Sequence, residues 1–311
     1  MSGRQAAATT ADPRRVLLFG ASGFIGAHVR RVLAEDDRVG DLVCAGRDRV
    51  DLDADGVEAI TEVVRWARPD AVVNCTGRLA GSGYDLVRSN TSVTAKLIEA
   101  VAAVSPAIRL VRLGSASEYG VVAHGRAVTE DDPTVPVSEY GVSHVAGTRL
   151  VELASEAGRL DGVVLRIFNP IGPGLHEANM LGRAVALMRD ALRERADHIV
   201  LGPLDAYRDF VDVRDVARAV RAAVVAPSLP HRVFNVASGR AVTARHTVEV
   251  LADVAGFGGD ILERGAGPAR SAAVGWIQAD LTRAQRMLRW SPAYQLVDSL
   301  KAVWTDAAVT A

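Results

Sequence analysis

The chain has 311 residues, 49% of them apolar and 23% charged, with a formal net charge of −1. That length exceeds the usual single domain and allows a large core, so two lobes are expected. The near-neutral charge gives no reason to expect nucleic acid or an anionic membrane surface as a partner.

In chain order, residues 1–13 (MSGRQAAATTADP) lack an apolar signal core and read as a disordered leader. RVLLFG (15–20) reads as a strand, followed by a glycine-punctuated turn and a helix to about Leu33. DLVCAG (41–46) is a second strand, VEAITEVVRWA (57–67) has helical spacing, and DAVVNCTG (70–77) is a strand closing on glycine. NTSVTAKLIEAVAAV (90–104) reads as a helix with Asn90 as its cap. IRLVRLGS (108–115) is a strand, residues 138–157 a helix after a Pro-rich loop, and GVVLRIFN (162–169) a strand. Strands that are apolar throughout and alternate with helices argue for a parallel sheet covered on both faces, a doubly wound α/β fold.

Beyond Pro170 the regularity loosens. PIGPGLHEANM (170–180) is a loop and residues 181–196 an amphipathic helix. Residues 208–225 are a short strand leading into a helix, RVFNVAS (232–238) is a further strand, and GAGPAR (265–270) is a Gly-rich loop. The expected division is a dinucleotide-binding domain of 14–168 plus 209–237, and a smaller interleaved substrate lobe of 169–208 plus 238–311. Cys44 and Cys75, the two cysteines, lie inside apolar runs and read as small buried hydrophobes, neither a disulfide framework nor a metal site. No uninterrupted apolar stretch is long enough to span a bilayer, and the expected setting is the cytoplasm.

FGASGFIGAHV places Gly20, Gly23 and Gly26 between strand and helix. The first permits the tight turn, the second lets backbone approach a pyrophosphate, and the third lets the helix pack on the sheet. The helix N-terminus then offers N–H groups and a partial positive charge to phosphate. At the end of the second strand, Gly46 and Arg47 stand where an acidic residue would bind the ribose hydroxyls of NAD. Arg47 favours the 2′-phosphate of NADP, and Asp48 beside it leaves NAD open. Asp51, followed by Leu52, is a candidate acceptor for the adenine amino group.

GASGFIG, DLD, VVNCTG, GSASEYG, YGVSH, RIFNPIGPG and RDFVDVRDV occur in the order found in the extended short-chain dehydrogenase/reductases. These are the nucleotide-sugar epimerases, dehydratases and reductases, and the chain resembles them from about Val16 to Trp304. FNPIGPG, LGPLDAYRDFVDVRDV, VFNVASG and GPAR look most like the GDP-4-keto-6-deoxymannose reductases among them. The resemblance implies a Rossmann-type sheet with a C-terminal substrate lobe. It implies cofactor contacts from Gly20, Ser22, Gly23, Phe24, Ile25, Gly26, Arg47, Asp51, Leu52, Cys75, Thr76, Gly77, Asn90, Tyr140 and His144. The family's catalytic serine falls on Ser115 and its tyrosine on Tyr140. Ser117 and Glu118 lie where some relatives carry an extra acid or base, Glu118 out of register and better read as a hydrogen-bonding loop residue. Asn169, Arg208 and Arg270, with Ser115 and Ser117, fall at substrate positions. Arg208 is alternatively a partner of the adjacent Asp209. Relatives pair two helices across a four-helix bundle, so a homodimer is expected. The stripe Val142, Val145, Ala146, Leu150 and Leu153 would lie on the second of them.

The family's lysine, four residues after the tyrosine, falls on His144. A free phenol titrates near ~10, so ionising it at neutrality needs ~4 kcal/mol of anion stabilisation. A cation at ~5 Å in an effective dielectric of ~20 provides about 3 kcal/mol. Histidine, near ~6.5, mostly lacks that charge unless a partner raises it. Reduction uses the protonated tyrosine and oxidation the tyrosinate. The residues therefore favour an NADP-dependent reductase of a nucleotide-linked keto-deoxy sugar. A 4-epimerase with retained NAD, and a non-catalytic dinucleotide-binding protein, are the alternatives.

Overall fold

The computed structural model describes residues 14–265 and 273–309. Its elements are β1 (Arg14–Phe19), α1 (Phe24–Ala34), β2 (Val39–Ala45), α2 (Val57–Ala67), β3 (Ala71–Asn74), α3 (Gly83–Leu86), α4 (Val93–Ala102), β4 (Arg109–Ser115), α5 (Glu139–Glu156), β5 (Asp161–Ile167), β6 (Pro170–Ile171), α6 (Met180–Glu194), β7 (His198–Leu201), β8 (Tyr207–Asp209), β9 (Val211–Asp212), α7 (Val213–Val225), β10 (Val233–Val236), β11 (Ala241–Thr243), α8 (Ala244–Ala255), β12 (Asp260–Glu263) and α9 (Leu296–Val309). Six strands form one sheet in the order β10-β5-β4-β3-β1-β2, and every pairing in it is parallel.

The sheet is covered on both faces, and its strands are mostly apolar, with Arg109, Arg112 and Arg166 among the buried exceptions. In β1, Val16 and Leu18 enter one core cluster while Leu17 and Phe19 enter the other, the two-residue period of a strand buried on both sides. The amphipathic helix α7 covers the first face and α2, α4 and α5 the second. A third cluster joins α6, α8 and α9 with β7 into a separate small core. Residues 277–290 return from that side to pack on the first cluster through Ile277, Leu281 and Trp290.

From β1 the chain passes to β2 on one side and returns through α2 to β3 on the other. The strand order therefore reverses between β1 and β3, which opens a crevice at their carboxyl ends. The helix expected at 90–104 starts earlier than its sequence suggests. Ser82 caps α3 in a capping box with Asp85, and a π-turn at Val87–Ser92 carries the helix into α4. Asn90 thus lies inside a continuous helical segment and is not its cap. Cys44 is exposed, not buried, because it lies on the edge strand β2.

Candidate active site

Gly20 leaves β1 at φ 78°, and a Cβ there would lie 2.8 Å from the carbonyl carbon of Cys75. A Cβ on Gly26 would fall 1.9 Å from the carbonyl oxygen of Gly20. Both positions are closed by the chain itself. Gly23 differs: its Cβ would meet nothing nearer than that same oxygen at 3.4 Å. It caps α1 without a side-chain hydrogen bond, and the first helical turn carries no acidic residue. Space above Gly23 and N–H groups free of a capping side chain are what a pyrophosphate requires. Ser22 is exposed there, Phe24 and Ile25 half-buried. His28 Nε2 lies 2.9 Å from the Pro173 carbonyl, so the loop after β6 rests on the start of α1.

Where the adenosine is expected, Arg47 stands exposed just after β2, whereas Arg49 is laid over the Trp66 ring at 3.9 Å. The Asp51 side chain accepts from the backbone N–H of Asp53 at 2.9 Å and Ala54 at 3.3 Å. Leu52 is buried in the second core cluster. Lys96 of α4 holds this turn by donating to the carbonyls of Leu52, Asp53 and Asp55 at 2.7–3.1 Å. Sequence reasoning missed that role, since nothing local links Lys96 to residues 52–55.

After β3, Asn74 Oδ1 accepts from the Thr76 N–H and hydroxyl at 3.0 and 2.6 Å. Burial pushes the Cys75 thiol up to about 12, so it is an inert wall of the crevice. Gly77 leaves room for Asn90, whose Oδ1 would sit 3.2 Å from a Cβ there. Asn90 accepts from the Arg78 N–H at 2.8 Å and donates to the Arg78 carbonyl and to Ser143 Oγ, each at 3.0 Å. Ser143 in turn donates to the Tyr140 carbonyl at 2.8 Å. A continuous chain of contacts thus runs from Gly20 through residues 75–78 and Asn90 to the first turn of α5.

That turn is capped by Ser138, whose hydroxyl accepts from the Gly141 N–H at 3.2 Å. Tyr140 and His144, one turn apart, pack with ring centroids 4.5 Å apart and ring planes tilted by 57°. Ser115 ends β4, and its Oγ accepts from Ser117 N–H at 3.2 Å and Ser117 Oγ at 2.8 Å. A Cβ on Gly141 would fall 2.6 Å from the Ser117 carbonyl, so the serine turn and the tyrosine helix are in close contact. Glu118 is fully buried; its carboxylate accepts from Ser115 N–H at 3.0 Å and from Arg166 Nε at 2.8 Å. Its two oxygens are thereby engaged in holding the serine turn.

His144 is buried, and burial together with the adjacent Arg112 guanidinium holds its pKa well below the usual histidine value. The imidazole is therefore neutral at pH 7. Arg112 of β4 lies behind it, Nη2 3.4 Å from Nδ1, a contact absent from the sequence reading. The available signal was a second arginine within the otherwise apolar strand RLVRLGS.

Of the residues expected on the substrate side, Asn169 follows β5 at φ 29°, a left-handed conformation that Asn tolerates better than most residues. Its Nδ2 donates to the Asp209 carbonyl at 3.0 Å. Arg208 on β8 donates to the Tyr207 carbonyl at 2.8 Å. The alternative pairing of Arg208 with Asp209 does not form, because alternation along β8 turns Asp209 inward. There its carboxylate accepts from the Ser238, Gly239 and Ala279 N–H groups and the Ser238 hydroxyl at 2.6–3.1 Å. Beside Arg208, the Tyr207, His124 and Trp276 rings cluster with centroids 4.5–5.1 Å apart. Arg270 and residues 1–13 lie outside the described residues. Among the described residues, no group of three His, Cys, Asp or Glu side chains could hold a metal, and no helix is long and apolar enough to cross a membrane.

The family model for the NAD dependent epimerase/dehydratase family matches residues 16–237. The chain is 38% identical over 305 residues to a dTDP-6-deoxy-L-talose 4-dehydrogenase (NAD(P)(+)) of Kitasatospora kifunensis, covering 94% of this chain and 95% of that protein. It is 28% identical to a GDP-6-deoxy-D-mannose reductase of Pseudomonas aeruginosa, covering 94% and 97%. The solved structure of RMD from Pseudomonas aeruginosa complexed with NADPH superposes with a TM-score of 0.83 at 24% identity, covering 96% of this chain and 99% of that one. The chain belongs to the NAD dependent epimerase/dehydratase family, the extended short-chain dehydrogenase/reductases. It is an enzyme of the group of NAD(P)-dependent nucleotide-sugar reductases, dehydrogenases and epimerases.

Proposed function

We propose that the protein interconverts the 4-keto and 4-hydroxyl forms of a nucleotide-linked 6-deoxyhexose, acting as a ketone reductase with NADP(H). The glycine turn at Gly20, Gly23 and Gly26 would hold the dinucleotide, which when bound would supply the hydride. Tyr140 gives its phenolic proton to the sugar carbonyl oxygen as the carbonyl carbon is reduced, and Ser115 donates a hydrogen bond to the same oxygen. His144, neutral and buried, orients the nicotinamide ribose from the next turn of α5. Asn90 acts on the cofactor indirectly, by fixing residues 77–78. Arg208 binds the diphosphate, with Asn169 and Ser117 lining the sugar subsite and Arg270 a further anion contact.

The observation that carries this reading is the joining of three segments: the first turn of α5 is tied through Asn90 to Arg78, on the segment that packs against Gly20 at Cys75, and is packed on the Ser115 turn through Gly141. The named activities of the two curated relatives support a 6-deoxyhexose. The exposed arginine after β2 supports NADP(H). We also propose a homodimer through α4 and α5, supported by the exposure of Val142 and Leu153 on α5.

The test is turnover of dTDP- and GDP-linked 4-keto-6-deoxyhexoses with NADPH. One NADPH is consumed per product formed, and Tyr140→Phe lowers kcat by at least ~100-fold. An epimerase would instead turn over with no net consumption of dinucleotide. Arg47→Ala raises KM for NADPH about tenfold and leaves that for NADH unchanged, the loss of about one charge-assisted contact.

A further inference from the structure

Two arginines of β4 are buried, Arg109 and Arg112. Arg109 has an ordinary structural setting: it pairs with Asp161 at 2.7 Å and donates to the carbonyls of Ala223 and Ala226 near the end of α7. Arg112 does not. Its Nε donates to Thr94 Oγ1 at 3.0 Å, its Nη1 to Thr148 Oγ1 at 3.2 Å, and its Nη2 approaches His144 Nδ1 at 3.4 Å. No described carboxylate forms an ion pair with it. A guanidinium held by two hydroxyls and an imidazole keeps more of its field than one cancelled by a carboxylate, and burying it so is costly.

The fold makes space for this cation. A Cβ on Gly147 would lie 2.5 Å from Arg112 Nη2, so the glycine one turn before Val151 is a seat for the guanidinium. Arginine has no acceptor, so the His144 Nδ1 facing it must be bare and the ring proton lies on Nε2. Tyr140, packed against that ring, lies within electrostatic reach of Arg112; burial lowers the Arg112 pKa from its ordinary high value, while Glu118 and a negative Tyr140 favour the charged guanidinium.

We propose that Arg112 supplies, from behind His144, the positive charge that relatives place on the lysine of the YxxxK motif. It favours the ionised phenol of Tyr140 and fixes the His144 tautomer. The proposal rests on the reading of Tyr140 as the proton donor and acceptor. It makes Arg112 a positioning residue, which touches neither sugar nor dinucleotide. The division of labour is different from that of a lysine: the charge comes from β4, and the ribose contact from a neutral imidazole on α5.

Several other described charges near the pair have partners of their own, and Arg88 lies against the Tyr84 ring. Glu118 and Arg166 also act on Arg112, with opposite signs, and they are bonded to each other. On the elements packed against α5, Asp85 is bonded to Ser82 and Arg78, and Lys96 to the three carbonyls of the 52–55 turn. Asp161 pairs with Arg109 and Arg232, and Glu99 with Arg159.

The ratio of forward to reverse kcat/KM at one pH is fixed by the equilibrium constant, so the informative quantity is where the pH profile breaks. The experiment titrates the tyrosinate absorption band of the NADP-bound enzyme, taking the difference from Tyr140→Phe. It is paired with the pH profile of alcohol oxidation. Arg112→Met moves the Tyr140 break up by one to two pH units, a loss of about 10- to 100-fold in oxidation at pH 7. Arg112→Lys restores most of the shift. Gly147→Ala, which displaces the guanidinium without removing it, gives a smaller shift and covers the case in which Arg112→Met fails to fold. His144→Lys in the Arg112→Met background brings the break back, because the cation returns in the position relatives use.

An Arg112→Met or Gly147→Ala protein that folds and binds NADP with an unshifted break overturns the proposal. If Tyr140→Phe leaves turnover intact, the functional reading falls; the spectroscopic titration still reports whether Arg112 acts on that phenol.

Discussion

Gly23 and Gly26 are three residues apart in one motif, yet their surroundings assign them different duties. Gly26 is closed by the chain: a Cβ there would lie 1.9 Å from the Gly20 carbonyl oxygen. Gly26→Ala must push the turn off α1 and lowers stability by about 1–3 kcal/mol, as overpacking does. Gly23→Ala meets nothing closer than 3.4 Å. It costs less than ~1 kcal/mol of stability at this helix cap and weakens dinucleotide binding about tenfold or more, because the methyl takes the pyrophosphate's space. Thermal melts set beside a fluorescence titration with NADPH separate the two effects. A Gly23→Ala protein that binds NADPH as the parent does would remove the phosphate from this turn.

The motif was legible because each glycine answers a local requirement of strand, turn and helix. Tyr140 was likewise placed by its motif. Arg112 was not, because its significance lies in contacts with Thr94, Thr148 and His144, which are 18, 36 and 32 residues away. Reading the fourth residue after Tyr140 alone gave a site without a cation. The structure puts one beside the histidine, from a strand.

Among the elements, β8 and its neighbours show how the third core cluster is fastened to the sheet. Asp209 takes four hydrogen bonds from residues 238, 239 and 279. It thereby locks the strand that carries Arg208 to the segment after β10 and to the return at residues 277–290. Asp209→Ala strands three backbone N–H groups, each worth roughly 1–3 kcal/mol when buried without a partner. A loss of about 3 kcal/mol or more in denaturant unfolding is expected. Asp209→Asn, which keeps one acceptor, loses less. If Asp209→Ala unfolds at the parental midpoint, the fastening is not there. The sequence placed β8, with Arg208 as a substrate residue and pairing with Asp209 as the alternative. Adjacent residues of a strand point to opposite faces, and here the carboxylate faces the interior.

The helix before Ser92 was under-read for a similar reason. Its start is set by the Ser82–Asp85 capping box, and a π-turn then interrupts the period that would have connected Gly83 to Val93. The extra residue in that turn is where Asn90 sits, aimed at both Arg78 and Ser143.

For the whole molecule, the buried neutral His144 couples folding to pH. Its folded-state pKa is lowered well below 6.5, by burial first and by Arg112 second. Below about 6.5 the unfolded chain takes up a proton that the folded chain refuses, so this group's stability is full above that pH and is lost as pH falls. The slope from one such group is at most ~1.4 kcal/mol per pH unit. Asp209 acts oppositely: burial pushes its carboxyl up to about 6, so its share declines as pH rises from about 4 to 6. Comparing chemical unfolding of the parent and His144→Gln between pH 7 and 5 isolates the histidine. The parent loses stability faster on acidification, and parallel curves would mean that His144 is protonated in the folded protein. At the same scale, Leu153→Glu yields a folded monomer by sedimentation if α5 forms the proposed dimer face.

The sequence by itself determined the parallel sheet, the glycine turn at its reversal point and the family, because these follow from periodicity and from motifs only a few residues long. Tertiary structure alone decided the electrostatics of the site. A strand can carry a cation into a core at almost any register; whether it lies against the imidazole beside Tyr140 or against a carboxylate depends on how β4 and α5 pack, and no local pattern encodes that distance.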